Sequence, residues 1–416
     1  MRSTPKGLRV HIGLFGRRNV GKSSLLNAIT RQSVSIVSEQ AGTTTDPVEK
    51  PMELLPLGPV LFIDTAGIDD VGTLGEKRVA KTRNAFDRTD LAVLITDGEW
   101  DEFERGILDE FTDRDVPLIV VFNKIDLGDP PAEAIAQLDE RGILSVRTIA
   151  SEGEGVLDFR QALLDAAPPE LLADPAIAAD LVGPGGLAVL VVPIDKEAPK
   201  GRLITPQVQT IRDLLDGDAY CMVVKDRELR DALGRLQGDP ELVITDSQAF
   251  LKVAADTPPR VPMTSFSILF ARLKGDLVSQ AEGAAAVEAL KPGDRVLVAE
   301  ACSHHPIADD IGRVKIPRWL TQYVGGKLEF NTVQGHDFPP DLAEYKLVIH
   351  CGGCVHNRRE MLSRLMRCRD ADVPVTNYGV LIAHVLGIAE RALEPFPAAQ
   401  EAWRAKMAEA TLDART

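Results

Sequence analysis

From residue 9 to about 165, short apolar runs alternate with stretches whose apolar positions recur at helical spacing. Strands are expected at Val10–Phe15, Val60–Ile63, Leu91–Thr96 and Leu118–Phe122, with a weaker one near Val146–Ile149. Such alternation predicts a mostly parallel sheet with helices on both faces. The stretch Ala167–Gly186, rich in Ala, Pro, Gly and Asp, reads as a connector. A second α/β stretch opens with a strand at Leu187–Val192, and a helix from Pro206 to Leu215 places Val208, Ile211, Leu214 and Leu215 on one face. Ala219–Val224 and Leu242–Thr245 are expected as strands around a helix at Arg227–Leu236. This stretch gathers no convergent set of reactive side chains, so packing or self-association is its expected role. From Pro258 onward, strands are expected at Arg295–Glu300, Leu347–His350 and Val373–Thr376, with helices between and after them. The pattern gives three α/β domains with mostly parallel sheets, over residues 1–168, 187–257 and 258–416.

Composition narrows the class. The 416 residues are too many for one ordinary core. A net charge of −15 argues against a general grip on nucleic acid or anionic lipid. No apolar run reaches the length of a membrane span, and the first residues lead straight into a strand rather than a signal-peptide core. A cytoplasmic protein with no nucleic-acid or membrane partner is expected. The cysteines are five, Cys221, Cys302, Cys351, Cys354 and Cys368, an odd number that points to metal or unpaired thiols over a disulfide framework.

The segment Gly16-Arg17-Arg18-Asn19-Val20-Gly21-Lys22-Ser23 fits G-x-x-x-x-G-K-[ST] and lies between an apolar strand and a helix. Backbone N–H groups in such a turn cradle phosphate oxygens at a helix N-terminus. Lys22 is placed for the β- and γ-phosphates and Ser23 for Mg²⁺, with Val20 and Ser24 completing the phosphate-binding set. Asp64-Thr65-Ala66-Gly67 ends one strand, bringing a carboxylate towards Mg²⁺ and the Gly67 N–H towards the γ-phosphate. Asn123-Lys124-Ile125-Asp126 ends another, and Asp126 can accept from both the ring N–H and the amine of guanine, a pair that adenine lacks. Three motifs in this order, each at a strand's carboxyl end, read as a Ras-like P-loop G domain that binds GTP and GDP and hydrolyses GTP.

The remainder of this site resembles the translation-factor-like G proteins that include Era and MnmE. The resemblance implies that Gly42-Thr43-Thr44-Thr45-Asp46 is switch I, with Thr44 a Mg²⁺ ligand. It implies that Asn19 helps hold K⁺ and that Glu76 positions the attacking water. Ile68 stands where Ras-type proteins carry a water-orienting glutamine, so slow intrinsic hydrolysis is expected. Ile149-Ala150-Ser151 departs from the usual Ser-Ala near the base, and Ala150 is expected to offer its N–H to the guanine oxygen.

A second cluster is Cys302-Ser303-His304-His305, followed 49 residues after Cys302 by His350-Cys351-Gly352-Gly353-Cys354. Both halves follow expected strands, and parallel strands of one sheet would bring these loops together. The residues alone point to metal and leave structural zinc and an iron–sulfur cluster both open. The pattern Cys302-x-His304 … His350-Cys351-x-x-Cys354 behind a G domain resembles the HydF family, the GTPase maturation factors of [FeFe]-hydrogenase. Ala198-Pro199-Lys200-Gly201-Arg202-Leu203-Ile204-Thr205-Pro206-Gln207 is similar to that family's middle domain. The resemblance implies a [4Fe–4S] cluster on Cys302, Cys351 and Cys354, with a fourth position filled by His304, His350 or a C-terminal glutamate such as Glu394 or Glu401. It further implies a homodimer that carries a diiron subcluster precursor to apo-hydrogenase, with two radical-SAM maturases as further partners. His305, His336 and His356 are expected as solvated loop histidines, and Cys221 and Cys368 as packing residues. The competing reading is an RNA-linked Era/MnmE-like GTPase with a structural zinc site.

Overall fold

The computed structural model describes residues 6–32, 48–55, 57–65, 84–168, 175–193, 203–301 and 310–413. The chain forms two compact units, Met1–Asp174 and Pro175–Thr416.

The first unit is built on a six-stranded sheet. Its strands are β1 (Val10–Phe15), β2 (Val48–Leu54), β3 (Gly58–Asp64), β4 (Leu91–Thr96), β5 (Leu118–Asn123) and β6 (Leu144–Thr148), in spatial order β2-β3-β1-β4-β5-β6. All neighbours are parallel except β2 and β3. Strands β1, β4 and β5 are buried at every position, as a sheet covered on both faces requires. Successive side chains serve opposite layers. Leu91, Val93, Ile95, Ile119 and Val121 join one core, and Ala92, Leu94, Val120 and Phe122 join the other. Helices of this unit among the described residues include α1 (Lys22–Gln32), α2 (Glu102–Asp113), α3 (Ala132–Glu140) and α4 (Val156–Ala166). Strand β2 was not expected; Val48-Glu49-Lys50-Pro51-Met52-Glu53-Leu54 carries charges and a proline, which only an edge strand tolerates.

The second unit holds two four-stranded sheets, both parallel throughout. One contains β7 (Leu187–Val191), β8 (Tyr220–Val224), β9 (Leu242–Thr245) and β10 (Met263–Ser265), ordered β10-β9-β7-β8. The other contains β11 (Arg295–Glu300), β12 (Glu329–Gln334), β13 (Leu347–His350) and β14 (Val375–Asn377), ordered β12-β11-β13-β14. Strands β10 and β12 were not expected: the first is three residues long, and the second, Glu-Phe-Asn-Thr-Val-Gln, is an edge strand with no fully buried side chain. The helix expected at Arg227–Leu236 is shorter, Leu229–Leu233, ending at Gly234. The longer helices of this unit are α5 (Thr205–Asp216), α6 (Phe266–Lys274), α7 (Leu277–Ala285), α8 (Ile316–Val324), α9 (Arg358–Asp370), α10 (Tyr378–Val385) and α11 (Pro397–Asp413). One hydrophobic core joins the two sheets, drawing on β7, β9, β11 and β13 together with α6, α7 and α10. Among the described residues, no helix is long and apolar enough to cross a membrane.

Candidate functional site

In the first unit, the loop from Gly16 to Gly21 leaves the end of β1 and opens α1. Lys22 is buried, and its Nζ donates to the carbonyls of Gly16 (2.8 Å) and Arg17 (2.6 Å), lying across the inside of the loop. Ser23 Oγ donates to Asp64 Oδ2 at 2.6 Å, so the two side chains expected around Mg²⁺ already meet. Asn123 ties three loops together. Its Nδ2 donates to Val20 O (2.8 Å), while its Oδ1 accepts from Thr148 Oγ1 and the Ala150 N–H, both at 3.0 Å. A side chain at residue 21 would break this arrangement, because a Cβ there would sit 2.1 Å from Asn123 Nδ2 at a φ of +101°. Asn19 and Lys124 both adopt the left-handed conformation, and Lys124 pairs with Asp97 at 3.0 Å. Asp126 is exposed at the mouth of the site. The Ala150 N–H, expected to reach guanine, is engaged with Asn123 instead.

Two contributors were not visible in the motifs. Thr148, wholly buried, supports Asn123. Arg17 is bound by Glu104 (2.8 Å) and Asp101 (2.5 Å) and stacks over Phe103, fixing the phosphate loop to the first turn of α2. Glu104 also closes the capping box of that helix with Asp101. Ser24 lies exposed on the first turn of α1. Thr44, Gly67 and Glu76 lie outside the described residues.

In the second unit, the carboxyl ends of strands from both sheets converge on one cavity of about 230 Å³. Asp246, Phe266, Glu300, Cys351, Cys354 and Tyr378 are among its lining, following or ending β9, β10, β11, β13 and β14. This is where parallel α/β sheets place their ligands. The Cys351 N–H donates to Ala299 O (3.0 Å) and the Ala301 N–H to Cys351 Sγ (3.1 Å), so the segment entering Cys302 is stitched to the Cys-x-x-Cys loop. Cys302 and His304 themselves lie outside the described residues.

The loop is held from beneath by Lys274, which is 2% exposed. Its Nζ donates to the carbonyls of Gly353 (3.0 Å), Cys354 (3.2 Å) and His356 (2.6 Å). Burial lowers the ammonium to about 8, and the neighbouring Cys354, Cys351 and Glu360 act in the opposite sense by favouring its charge. Burial likewise pushes the Cys354 thiol up, with Lys274 opposing. Gly353 takes a φ of +61° and packs where a Cβ would meet Met361 Sδ at 2.7 Å, so the turn that aims the two thiols needs a glycine. Thiols beside an N–H donor and a buried cation, at a cavity, suit a metal or cluster held by thiolates.

Several expectations are corrected here. His350 is buried, its Nε2 accepts from Arg364 Nη1 (3.0 Å), and its Nδ1 donates to Cys351 O (3.0 Å). Both ring nitrogens are thus used, which leaves no lone pair for a fourth cluster bond. Glu394 and Glu401 are exposed and do not line the cavity; the carboxylates that do are Asp246, Glu300 and Asp310. His356 is wholly buried rather than solvated, whereas His336 is exposed as expected, with its Nδ1 against both oxygens of Glu360. Cys368 is a packing residue in the core, as expected.

Comparison with known proteins finds three family models along the chain. Residues 11–124 match the family model described as 50S ribosome-binding GTPase. Residues 177–275 match the hydrogen maturase F dimerization domain, and residues 278–395 the hydrogen maturase F tetramerization domain. Among curated proteins, tRNA modification GTPase MnmE of Synechococcus sp. (strain CC9902) is 41% identical over 165 residues, covering 38% of this chain and 33% of its own length. GTPase Der of Wolinella succinogenes is 41% identical over 126 residues, covering 28% of this chain and 26% of its own. The chain therefore spans a third or less of these relatives' length. The G domain of the T. maritima FeoB iron transporter aligns with 38% of this chain and 99% of its own, at 23% identity and a TM-score of 0.31.

Proposed function

The chain belongs to the hydrogen maturase F family of hydrogenase-maturing GTPases, and on that premise we propose that it carries a [4Fe–4S] cluster on Cys302, Cys351 and Cys354 and delivers a diiron precursor to apo-[FeFe]-hydrogenase. The observation that carries this reading is the Cys351–Cys354 loop, bonded to Ala301 and propped by Lys274 at the edge of a cavity. Three thiolates leave one iron without a protein thiolate, and a weakly held ligand there can give way to incoming cargo. The cavity beside the thiols supplies room for that cargo. The family's dimerization and tetramerization domains support a homo-oligomer, and radical-SAM maturases are the expected suppliers of the precursor.

Within the G domain, Lys22 and the Gly16–Gly21 backbone would hold the β- and γ-phosphates, with Ser23 and Thr44 on Mg²⁺ and Asn19 beside K⁺. The Gly67 N–H would meet the γ-phosphate, and Glu76 would position water. Asp126, Asn123 and Lys124 would frame guanine, with the Ala150 N–H bracing Asn123. GTP then works as a switch that governs which partner is bound, because γ-phosphate and Mg²⁺ order segments that relax after hydrolysis.

Activation of apo-hydrogenase by the iron-loaded chain, read as hydrogen evolution, tests this reading. Cys351→Ser should abolish activation, and Lys22→Ala should lower GTP turnover by about 100-fold or more while leaving iron content unchanged. No activation by loaded chain, together with binding of tRNA, would favour the RNA-linked GTPase that the MnmE likeness suggests for the first unit alone.

A further inference from the structure

We infer that His336, His356 and Glu360 form a binding site for one divalent transition-metal ion of the Zn²⁺ or Fe²⁺ type, separate from the cysteine loop. His336 follows β12 across the turn at Gly335, while His356 and Glu360 stand four residues apart at the entry to α9. His336 Nδ1 lies 3.1 Å from each carboxylate oxygen of Glu360, and His356 Nε2 lies 3.5 Å from Oε1. One ligand atom from each of the three falls within 4.8 Å of the others. Bonds of about 2.0–2.2 Å at tetrahedral angles separate donor atoms by about 3.3 Å, so two edges of the triangle already have the spacing of a metal's ligands. The imidazoles stack, with centroids 5.3 Å apart and planes 20° from parallel.

The independent observation is the state of His356. Its side chain is wholly buried, yet among the described residues neither ring nitrogen has a hydrogen-bond partner. Buried polar atoms in folded proteins are nearly always satisfied, and an orphan calls for an explanation such as a bound ion. The ring is placed by its backbone: the His356 N–H donates to Gly353 O (3.1 Å), and its carbonyl accepts from Lys274. An outer layer is also built. Arg364 Nη2 donates to Glu360 Oε1 (2.9 Å) and to Gly335 O (2.7 Å), orienting the carboxylate and the turn that carries His336. Asn357 caps α9 at the Glu360 N–H (3.2 Å), fixing the helix start.

Two imidazoles and one carboxylate select borderline transition ions over Ca²⁺ and Mg²⁺, which prefer all-oxygen sites. Three protein ligands leave at least one position open to water or an exchanging ligand. His336, with 41% of its side chain exposed, gives the ion its entry from solvent. The Arg364 guanidinium shares the carboxylate's charge, which moderates affinity and suits an exchangeable ion over a permanently structural one.

Co²⁺ is the probe. The full chain with Cys302, Cys351 and Cys354 replaced by Ser is titrated with Co²⁺ in excess Mg²⁺, and visible absorption is followed. One equivalent should bind with ligand-field bands and no thiolate charge-transfer band. Zn²⁺ should displace it. Adding His336→Ala, a surface change that leaves folding intact by circular dichroism, should weaken Co²⁺ binding by about tenfold or more. Absence of Co²⁺ binding in the Ser background, or equal binding with and without His336, would overturn the site.

Discussion

Lys274 is a lysine whose charged end lies inside the protein, and what surrounds it explains why. Three backbone carbonyls of the Cys-x-x-Cys turn accept from its Nζ, replacing the water it gives up. Lys274→Met keeps the apolar stem and deletes the donor; Gly353 O keeps the His356 N–H, but the carbonyls of Cys354 and His356 lose the Lys274 bond, at a typical cost of about 1–3 kcal/mol for an orphaned buried group. Denaturant unfolding of the full chain should show a loss of about 2 kcal/mol or more, and an unchanged midpoint would contradict this role. Neither Lys274 nor Arg364 was legible in the sequence, since nothing marks a buried lysine or arginine within an amphipathic pattern. The histidines illustrate the opposite failure. His356 sits two residues beyond a Cys-x-x-Cys turn, and local polarity suggested solvent, whereas Lys274 and the cap at Asn357 pull that turn into the interior. The nucleotide motifs were legible because each is a contiguous string tied to a strand end. Thr148 and Arg17 escaped because their roles depend on contacts 25 and 87 residues away in sequence.

Elements buried on both faces, such as β1, β4, β5, β7 and β13, announced themselves as apolar runs. Edge elements did not, because their polarity resembles that of loops. Strand β2 is an example, and it is pinned by charge as well as by its ladder with β3. Glu49 accepts from Arg88 at 2.6 Å and also pairs with Lys6. Burial pushes this carboxyl up, but Arg88 and Lys6 outweigh it and hold the group at about 2 against an ordinary 4.5. Between those values the unfolded chain takes up a proton that the folded one refuses. The pair's contribution is therefore complete above pH 4.5 and is lost as pH falls to about 2. Unfolding followed across that range should show Glu49→Gln less stable than the parent chain above pH 4.5, with the gap closing towards pH 2. A gap independent of pH would contradict the assignment.

At the scale of the molecule, the two units carry different chemistry. The first is a GTPase domain in which Lys22 lies across the phosphate loop, Ser23 meets Asp64 and Asn123 ties that loop to the end of β5. The second places Cys351 and Cys354 just past the carboxyl end of β13, beside a cavity, over a core that runs through two sheets. The sequence pattern placed the Cys351–Cys354 loop after a strand, and the pairing of β11 with β13 explains how Ala301 comes to donate to Cys351 Sγ across 50 residues of sequence. It could not choose between zinc and iron, because thiolates serve both. Metal analysis and EPR of the anaerobically purified, dithionite-reduced chain make that choice directly. The chain should hold about four irons, the content of one [4Fe–4S] cluster, with a reduced-cluster signal that disappears in Cys351→Ser. Stoichiometric zinc, with no iron taken up on reconstitution, would contradict it.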